Sequence, residues 1–162
     1  MNSLATNPML PTLDLLDPVS LPAKRPKVLV ADDDPAVRES LRHALESENF
    51  DVIFAADGNE ALETFYEGDI DIVLLDLKMP DKNGWEVFER MTAVNPLLPV
   101  IILTASNDAV ELAAQAGASA IVEKPLELPR LLWTIHRLLG EPLERRLWRI
   151  VANCPLIMVP ES

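Results

Sequence analysis

The stretch of sequence that most constrains the fold of this chain runs from Ile70 to Gly84. Its apolar run, Ile72-Val73-Leu74-Leu75, ends abruptly in Asp76, and a turn rich in Pro, Asp, Asn and Gly follows. A short apolar run bounded by turn residues is typical of a strand buried on both faces of a sheet. Open α/β sheets bind ligands at the carboxyl ends of such strands. We therefore take Asp76 as the candidate reactive residue.

Four further apolar runs have the same character and alternate with segments of helical periodicity. The five predicted strands cover residues 27–31, 50–55, 70–76, 100–103 and 119–122, and the helices start near 35, 59, 84, 108 and 128. Alternating strands and helices form a parallel sheet with helices on both faces. We predict an α/β fold of the flavodoxin-like (βα)5 type, with five parallel strands in the order 2-1-3-4-5.

The two ends of the chain differ from this predicted domain at 27–140. Residues 1–26 contain five prolines and no sustained period, which predicts a Pro-rich N-terminal arm or linker. This arm is either a disordered tail or a segment that docks through its leucines, which are Leu4, Leu10, Leu13, Leu15 and Leu16.

Residues 141–162 are predicted to form a C-terminal extension, made of a short helix and a tail. Apolar residues recur there at helical spacing, namely Leu143, Leu147, Ile150 and Val151. Two interpretations remain open: the helix folds back on its own domain, or it serves docking or dimerisation with Trp148 as the anchor.

The charge of the chain argues against direct binding to nucleic acid. The formal net charge is −12, and residues 27–140 hold 21 acidic against 9 basic side chains. Such a domain repels phosphate backbones.

Cys154 is the single cysteine, and no apolar run approaches the roughly 20 residues of a membrane span. We expect a cytoplasmic protein without membrane contact.

The predicted strand order brings several polar strand ends together at one edge of the sheet. Asp32 and Asp33 follow the first strand and adjoin Asp76, while Thr104 and Lys124 follow the fourth and fifth strands. Three neighbouring carboxylates repel one another unless a cation is present. Mg²⁺ suits such a set of oxygen ligands, with Mn²⁺ as the alternative ion.

This combination of groups suits phosphoryl transfer. A carboxylate can attack phosphorus to form an acyl phosphate. A divalent cation, an ammonium group and a hydroxyl can together neutralise the oxygens of the transferring group. We therefore predict that Asp76, Thr104 and Lys124 carry the chemistry.

These same residues give the chain its resemblance to a known family. Over about residues 27–140 it resembles the receiver domains of two-component response regulators. The resemblance rests on the acidic-pair strand at 28–35, the loop at 76–84, Thr104-Ala105 and Lys124-Pro125. Because nothing large enough for a DNA-binding domain follows, the chain resembles a stand-alone receiver.

The resemblance implies a role for each of these positions. Asp76 would accept a phosphoryl group from a histidine kinase or a histidine phosphotransfer protein. Thr104 would hydrogen-bond the phosphoryl group, and Lys124 would pair with it. The Mg²⁺ ligands implied by the resemblance are Asp33, Asp32 largely through water, Asp76 and the backbone carbonyl of Lys78.

The chain departs from the family pattern in three places. Ile121 stands where the family usually has Tyr or Phe, three residues before its lysine. Thr104 and Lys124 are 20 positions apart, about two fewer than in the family. Lys78 places a cation beside the predicted phosphorylation site, at a position that, like Ser106, affects hydrolysis in the family.

Three functions follow from these patterns. The first is a receiver that is not an enzyme beyond its own phosphorylation and dephosphorylation, and that switches binding to an unknown downstream protein, with a homodimer left open. The second is a receiver-like scaffold that does not switch. The third is a Mg²⁺-dependent phosphatase of the haloacid-dehalogenase type, which carries a second Asp where this chain has Lys78.

Overall fold

A parallel sheet forms the centre of the molecule. The computed structural model describes residues 24–80, 83–153 and 156–158. Within these residues the strands are β1 (Lys27–Ala31), β2 (Asp51–Ala55), β3 (Ile72–Asp76), β4 (Val100–Thr104), β5 (Ala120–Glu123) and β6 (Leu156–Met158). Their order across the sheet is β2-β1-β3-β4-β5-β6. The order 2-1-3-4-5 predicted for the first five strands is therefore confirmed.

Helices connect the strands and cover both faces of the sheet. They are α1 (Pro35–Ser47), α2 (Gly58–Glu67), α3 (Gly84–Val94), α4 (Asn107–Gln115), α5 (Leu128–Leu139) and α6 (Leu143–Ala152). The longest has 13 residues, and a membrane span needs about 20. No helix in the described part of the chain is long and apolar enough to cross a bilayer.

Two hydrophobic cores lie on opposite faces of the sheet, because successive side chains of a strand point to opposite sides. Helices α2, α3 and α4 pack over Leu29, Val73 and Ile102 on one face. Helices α1 and α5 pack over Val30 and Ile101 on the other. Every residue of β3 and β4 is buried. Polar residues at the ends of these two strands are therefore held in fixed positions.

The end of the chain contributes a strand that the sequence analysis did not predict. Residues 156–158 pair in parallel with β5, and Ile157 lies opposite Ile121. The predicted tail thus occupies the edge of the sheet next to β5. Three residues are too few for a recognisable period in the sequence, so only the pairing itself reveals the strand.

Helix α6 lies against its own domain, but with an unexpected face turned inward. Arg149 forms a buried ion pair with Glu141, at 3.0 Å between Nη2 and Oε2. Arg146 donates hydrogen bonds to the carbonyl oxygens of Leu97 at 3.3 Å and Leu138 at 3.2 Å. The apolar residues of the helix face solvent instead. The helix therefore folds back through its arginines rather than through its leucines.

Candidate functional site

Asp76 is the last residue of β3 and lies at the carboxyl edge of the sheet. Only 5% of it is exposed. The backbone N–H of Lys78 donates to its Oδ1 at 3.0 Å, whereas the Lys78 side chain is exposed. A buried strand followed by a tight turn thus presents one carboxylate in a fixed orientation.

The turn after Asp76 depends on a glycine whose role the sequence analysis missed. Gly84 begins α3, and its N–H donates to the carbonyl of Leu77 at 3.2 Å. A Cβ at Gly84 would lie 2.5 Å from the Leu77 Cα and 2.7 Å from the Asp76 carbonyl oxygen. Only glycine allows this close approach of the two backbones. A glycine in the first turn of a helix, directly after a candidate reactive loop, was the available indication.

Asp32 and Asp33 follow β1, the strand beside β3. Asp32 is fully buried, and its Oδ1 accepts a hydrogen bond from the N–H of Asp34 at 2.9 Å. Asp33 is exposed. The guanidinium of Arg38 donates to the Asp32 carbonyl oxygen at 2.7 Å. Arg38 therefore holds the loop that carries the acidic pair, a role that the sequence analysis did not assign.

The three carboxylates meet as the strand order requires. One oxygen each from Asp32, Asp33 and Asp76 lies within 4.8 Å of the others. Carboxylate oxygens are the ligands that Mg²⁺ prefers, and one open, exposed side leaves room for its water ligands. Burial raises the pKa of Asp76 above its usual range, although the Lys78 N–H and the Lys124 ammonium oppose that shift. The residues present therefore fit a hard divalent cation.

Lys124 connects two of these carboxylates. Its Nζ lies 3.0 Å from Oδ2 of Asp32 and 3.1 Å from Oδ2 of Asp76. Burial favours the neutral amine, but the hydrogen bonds and charges of Asp32 and Asp76 outweigh burial and raise the Lys124 pKa. The ammonium is thus held charged beside the carboxylate that the sequence analysis selected.

Thr104 is placed near this group but has other hydrogen-bond partners. It ends β4, where Leu103 pairs with Asp76, and it is buried. Its Oγ1 accepts a hydrogen bond from the N–H of Ser106 at 3.1 Å. The hydroxyl is therefore tied to the loop that leads into α4, a helix of nine residues.

Ile121 lies at the middle of β5, with β4 on one side and β6 on the other. Its side chain is fully buried in the core. No ring that could move between a buried and an exposed position is available at this residue.

Comparison with known proteins places this geometry in a family. Residues 28–136 match the family model described as the response regulator receiver domain. The chain belongs to the response regulator receiver domain family. The match covers both acidic residues after β1, the loop that follows Asp76, Thr104 and Lys124.

Curated relatives agree with this assignment. Response regulator MprA of Mycolicibacterium vanbaalenii is 40% identical over 115 residues, which are 70% of this chain and 50% of that protein. The DNA-binding transcriptional regulator NtrC of Rhizobium meliloti is 35% identical over 120 residues, or 73% of this chain and 25% of that protein. The chain spans half or less of the length of these relatives, and the shared part is the receiver domain.

Solved structures show the same fold. A CheY-like receiver domain protein from Methanospirillum hungatei superposes with a TM-score of 0.69 at 28% identity, over 78% of this chain and 99% of that chain. Chemotaxis response regulator CheY4 of Vibrio cholerae gives a TM-score of 0.65 at 29% identity, over 71% and 99% of the two chains. The residues matched by the family model, 28–136, run from β1 into α5.

Proposed function

We propose that this receiver domain accepts a phosphoryl group on Asp76 from a histidine kinase or a histidine phosphotransfer protein, and that phosphorylation switches its binding to a downstream protein. The observation that carries the proposal is the placement of Lys124, within 3.1 Å of both Asp32 and Asp76. A fixed ammonium beside a buried carboxylate is suited to stabilising the added negative charge of a phosphoryl group.

The chemistry follows from the positions of the groups. An Oδ atom of Asp76 attacks the phosphorus of phosphohistidine, the P–N bond breaks with its electron pair passing to the imidazole, and an acyl phosphate forms. Asp32, Asp33, Asp76 and the Lys78 carbonyl would hold Mg²⁺, which supplies positive charge for the phosphoryl oxygens. Lys124, which contacts Oδ2 of both Asp32 and Asp76, would supply a second positive charge.

Switching would begin at Thr104. A phosphoryl group adds about −1.5 to −2 charges and three acceptor oxygens at Asp76. To donate to one of them, the Thr104 hydroxyl must give up its long 3.5 Å hydrogen bond to the Ser106 carbonyl oxygen, whereas it can still accept from the Ser106 N–H. Ser106 precedes α4, so a movement of Thr104 would shift the start of that helix. The surface around α4 is therefore the proposed site of altered partner binding.

A constitutive scaffold is the second candidate, and two observations favour it. Ile121 is a buried aliphatic residue where the family has a ring, and α4 has nine residues. Both features weaken the usual connection between Thr104 and the surface around α4. In a scaffold, phosphorylation would leave partner binding unchanged.

Labelling of the isolated chain tests the phosphoacceptor. With Mg²⁺ and acetyl phosphate or phosphoramidate, intact mass spectrometry should show one added phosphoryl group on the wild type and none on Asp76→Ala. Asp51→Asn is the matched control, because Asp51 is an exposed acid at the opposite edge of the sheet. Unlabelled wild type, or an Asp76→Ala variant labelled equally, would refute the proposal.

The two candidates are separated by comparing the apo and beryllofluoride-treated protein in solution. A switch predicts altered hydrogen exchange in the Ser106 loop and α4, together with changed scattering if the activated chain dimerises. A scaffold predicts exchange that changes only around the acidic group.

A further inference from the structure

The outward face of α6 is an unusual concentration of exposed apolar side chains. Among the described residues, nine large apolar side chains are exposed, and five of them lie on this one helix. They form the α6 apolar face, which consists of Leu143, Leu147, Trp148, Ile150 and Val151. Val151 is 86% exposed and Trp148 65%. Contiguous apolar surface of this kind marks a binding site.

The orientation of α6 is fixed by polar contacts on its other side. Arg149 is 7% exposed and pairs with Glu141 through three hydrogen bonds. Arg146 binds two backbone carbonyl oxygens. A surface helix normally packs its apolar side inward. Because the arginines occupy the inward side of α6, its apolar side chains remain exposed and can contact a further segment or molecule.

A second copy of the chain is a poor occupant for this face. A helix of ten residues is about 15 Å long, so its exposed face offers a few hundred Å². A stable interface buries about 800 Å² from each partner. A segment tethered to the same chain needs less contact, because its effective concentration is in the mM range.

The N-terminal arm enters the described structure at the edge of the sheet where α6 lies. Lys24 contacts Asp69, at 2.6 Å between Nζ and Oδ1. From there, hydrogen bonds lead across the amino-terminal edge, from Asp71 N–H to the Lys27 carbonyl and from Val73 N–H to the Pro99 carbonyl. Arg146 of α6 binds the neighbouring Leu97 carbonyl. The path crosses from β1 to β4, two strand spacings or about 10 Å.

The arm is long enough to cross this distance. Residues 18–24 span about 23 Å when extended. The leucine-rich segment before them, residues 10–17, can therefore reach α6 from the position of Lys24. This segment contains Leu10, Leu13, Leu15 and Leu16.

The charges of the two segments are complementary. Residues 1–23 contain two acids, Asp14 and Asp17, and no lysine or arginine. Residues 128–152 contain five arginines and two glutamates, in a chain whose net charge is −12. The acidic body of the receiver repels the arm, whereas the region of α5 and α6 attracts it.

We propose that residues 10–17 of the N-terminal arm dock on the α6 apolar face of the same molecule. The leucines of the arm cover Leu147 and Val151, and Asp14 and Asp17 lie towards the exposed Arg137 of α5 and Arg145 of α6. The arm then belongs to the folded unit and covers part of the α6 apolar face.

Paramagnetic broadening of amide signals in the full chain tests this proposal. A nitroxide is attached to Thr12→Cys in a Cys154→Ser background, so that the label adjoins the docking leucines without replacing one. The amide signals of α6 should lose most of their intensity relative to a sample with the reduced, diamagnetic label, because docking brings the label next to this helix. Those of Asp76 and Lys78, at the carboxyl edge of the sheet and away from the entry point of the arm, should keep theirs.

Two variants separate docking from chance proximity. Leu147→Ser with Val151→Ser changes only exposed side chains and should restore the α6 signals. Leu112→Ser is the matched control, because Leu112 is 54% exposed on α4, and it should leave the broadening unchanged. Unbroadened α6 signals overturn the proposal. Broadening that appears only between an isotope-labelled chain and a separate spin-labelled chain also overturns it, because the occupant is then a second copy.

Discussion

At the scale of single residues, burial and neighbouring positive groups have opposite effects on the pKa of Asp76. Burial raises its pKa, while the Lys78 N–H and Lys124 oppose the shift. Asp32 has the same cation beside it and is fully buried. With Asp33 nearby, the apo site therefore holds three carboxylates and one ammonium. A further positive charge would relieve the repulsion between the carboxylates, which is consistent with a site for a divalent cation.

Replacing the Asp76 carboxylate by a neutral isostere should stabilise the apo protein. Asp76→Asn keeps an oxygen that can accept from the Lys78 N–H and removes the buried negative charge, while Lys124 retains Asp32. We expect the free energy of unfolding at neutral pH to rise by about 1 kcal/mol, a typical size for one substitution. Urea titration followed by circular dichroism measures it, with Asp51→Asn as the exposed control.

The stability gained by Asp76→Asn should depend on pH, and the direction of that dependence follows from the raised pKa of Asp76. Because the folded pKa of Asp76 lies above the unfolded value of 3.8, the folded state binds its proton first as the pH falls. This group stabilises the wild type fully below the unfolded pKa, and the contribution is lost as the pH rises through the folded pKa. The advantage of Asp76→Asn should therefore shrink as the pH falls towards 3.8. An advantage that grows on acidification would contradict the assigned shift.

At the scale of elements, the positions of the five central strands can be predicted from the sequence, whereas the packing of the C-terminal helix α6 cannot. The end of β3 at Asp76 is predictable because an apolar run buried on both faces must stop where a charge appears. The side of α6 that packs against the domain is not predictable in this way, because helical periodicity shows an apolar side without showing what it packs against. That choice depends on Glu141, which meets Arg149 only in the folded chain.

The same limit applies within the candidate site. Polar residues at strand ends are visible in the sequence, so Asp32, Asp76 and Lys124 could be grouped before the structure was known. The guanidinium of Arg38 donates to the Asp32 carbonyl, and Gly84 lies against the backbone of Asp76 and Leu77; both contacts form only when the chain folds. The predicted roles of Thr104 and Lys78 stay predictions, since they concern a phosphoryl group and an ion.

The pair that fastens α6 should be energetically coupled. Arg149→Met alone leaves Glu141 buried without its partner, which typically costs about 3–5 kcal/mol. The double variant Glu141→Leu with Arg149→Met removes both charges and should recover most of that loss. A double-mutant cycle from urea titrations measures the coupling, and hydrogen exchange shows whether α6 opens first.

An exposed pair on α3 provides the comparison. Glu86 and Arg90 are 2.8 Å apart, and their side chains are 44% and 49% exposed. Such a pair contributes about 0.3–0.5 kcal/mol. Equal coupling energies in the two cycles would mean that the buried pair does not hold α6 in place.

At the scale of the whole molecule, the protein is acidic, and one group of its carboxylates is close enough together to bind a divalent cation. The net charge of −12 attracts any cation weakly, but three carboxylate oxygens within 4.8 Å offer one specific site. An ion that binds the folded state alone raises the free energy of unfolding by an amount set by its concentration relative to Kd. Bound Mg²⁺ should therefore stabilise this receiver, even without phosphorylation.

Thermal unfolding with and without MgCl₂, at ionic strength matched with NaCl, measures that stabilisation. At a Mg²⁺ concentration 100 times the Kd, the gain should be about 2.7 kcal/mol. Asp33→Asn should abolish most of this gain, because it removes one of the three carboxylates that would bind the ion. Asp33 is exposed, so the substitution leaves the buried Asp32, Asp76 and Lys124 in place. Asp51→Asn has the same change in net charge and should keep the full gain. If Mg²⁺ stabilises both variants equally, general screening of the acidic surface accounts for the effect, and the three carboxylates are not the ion's site.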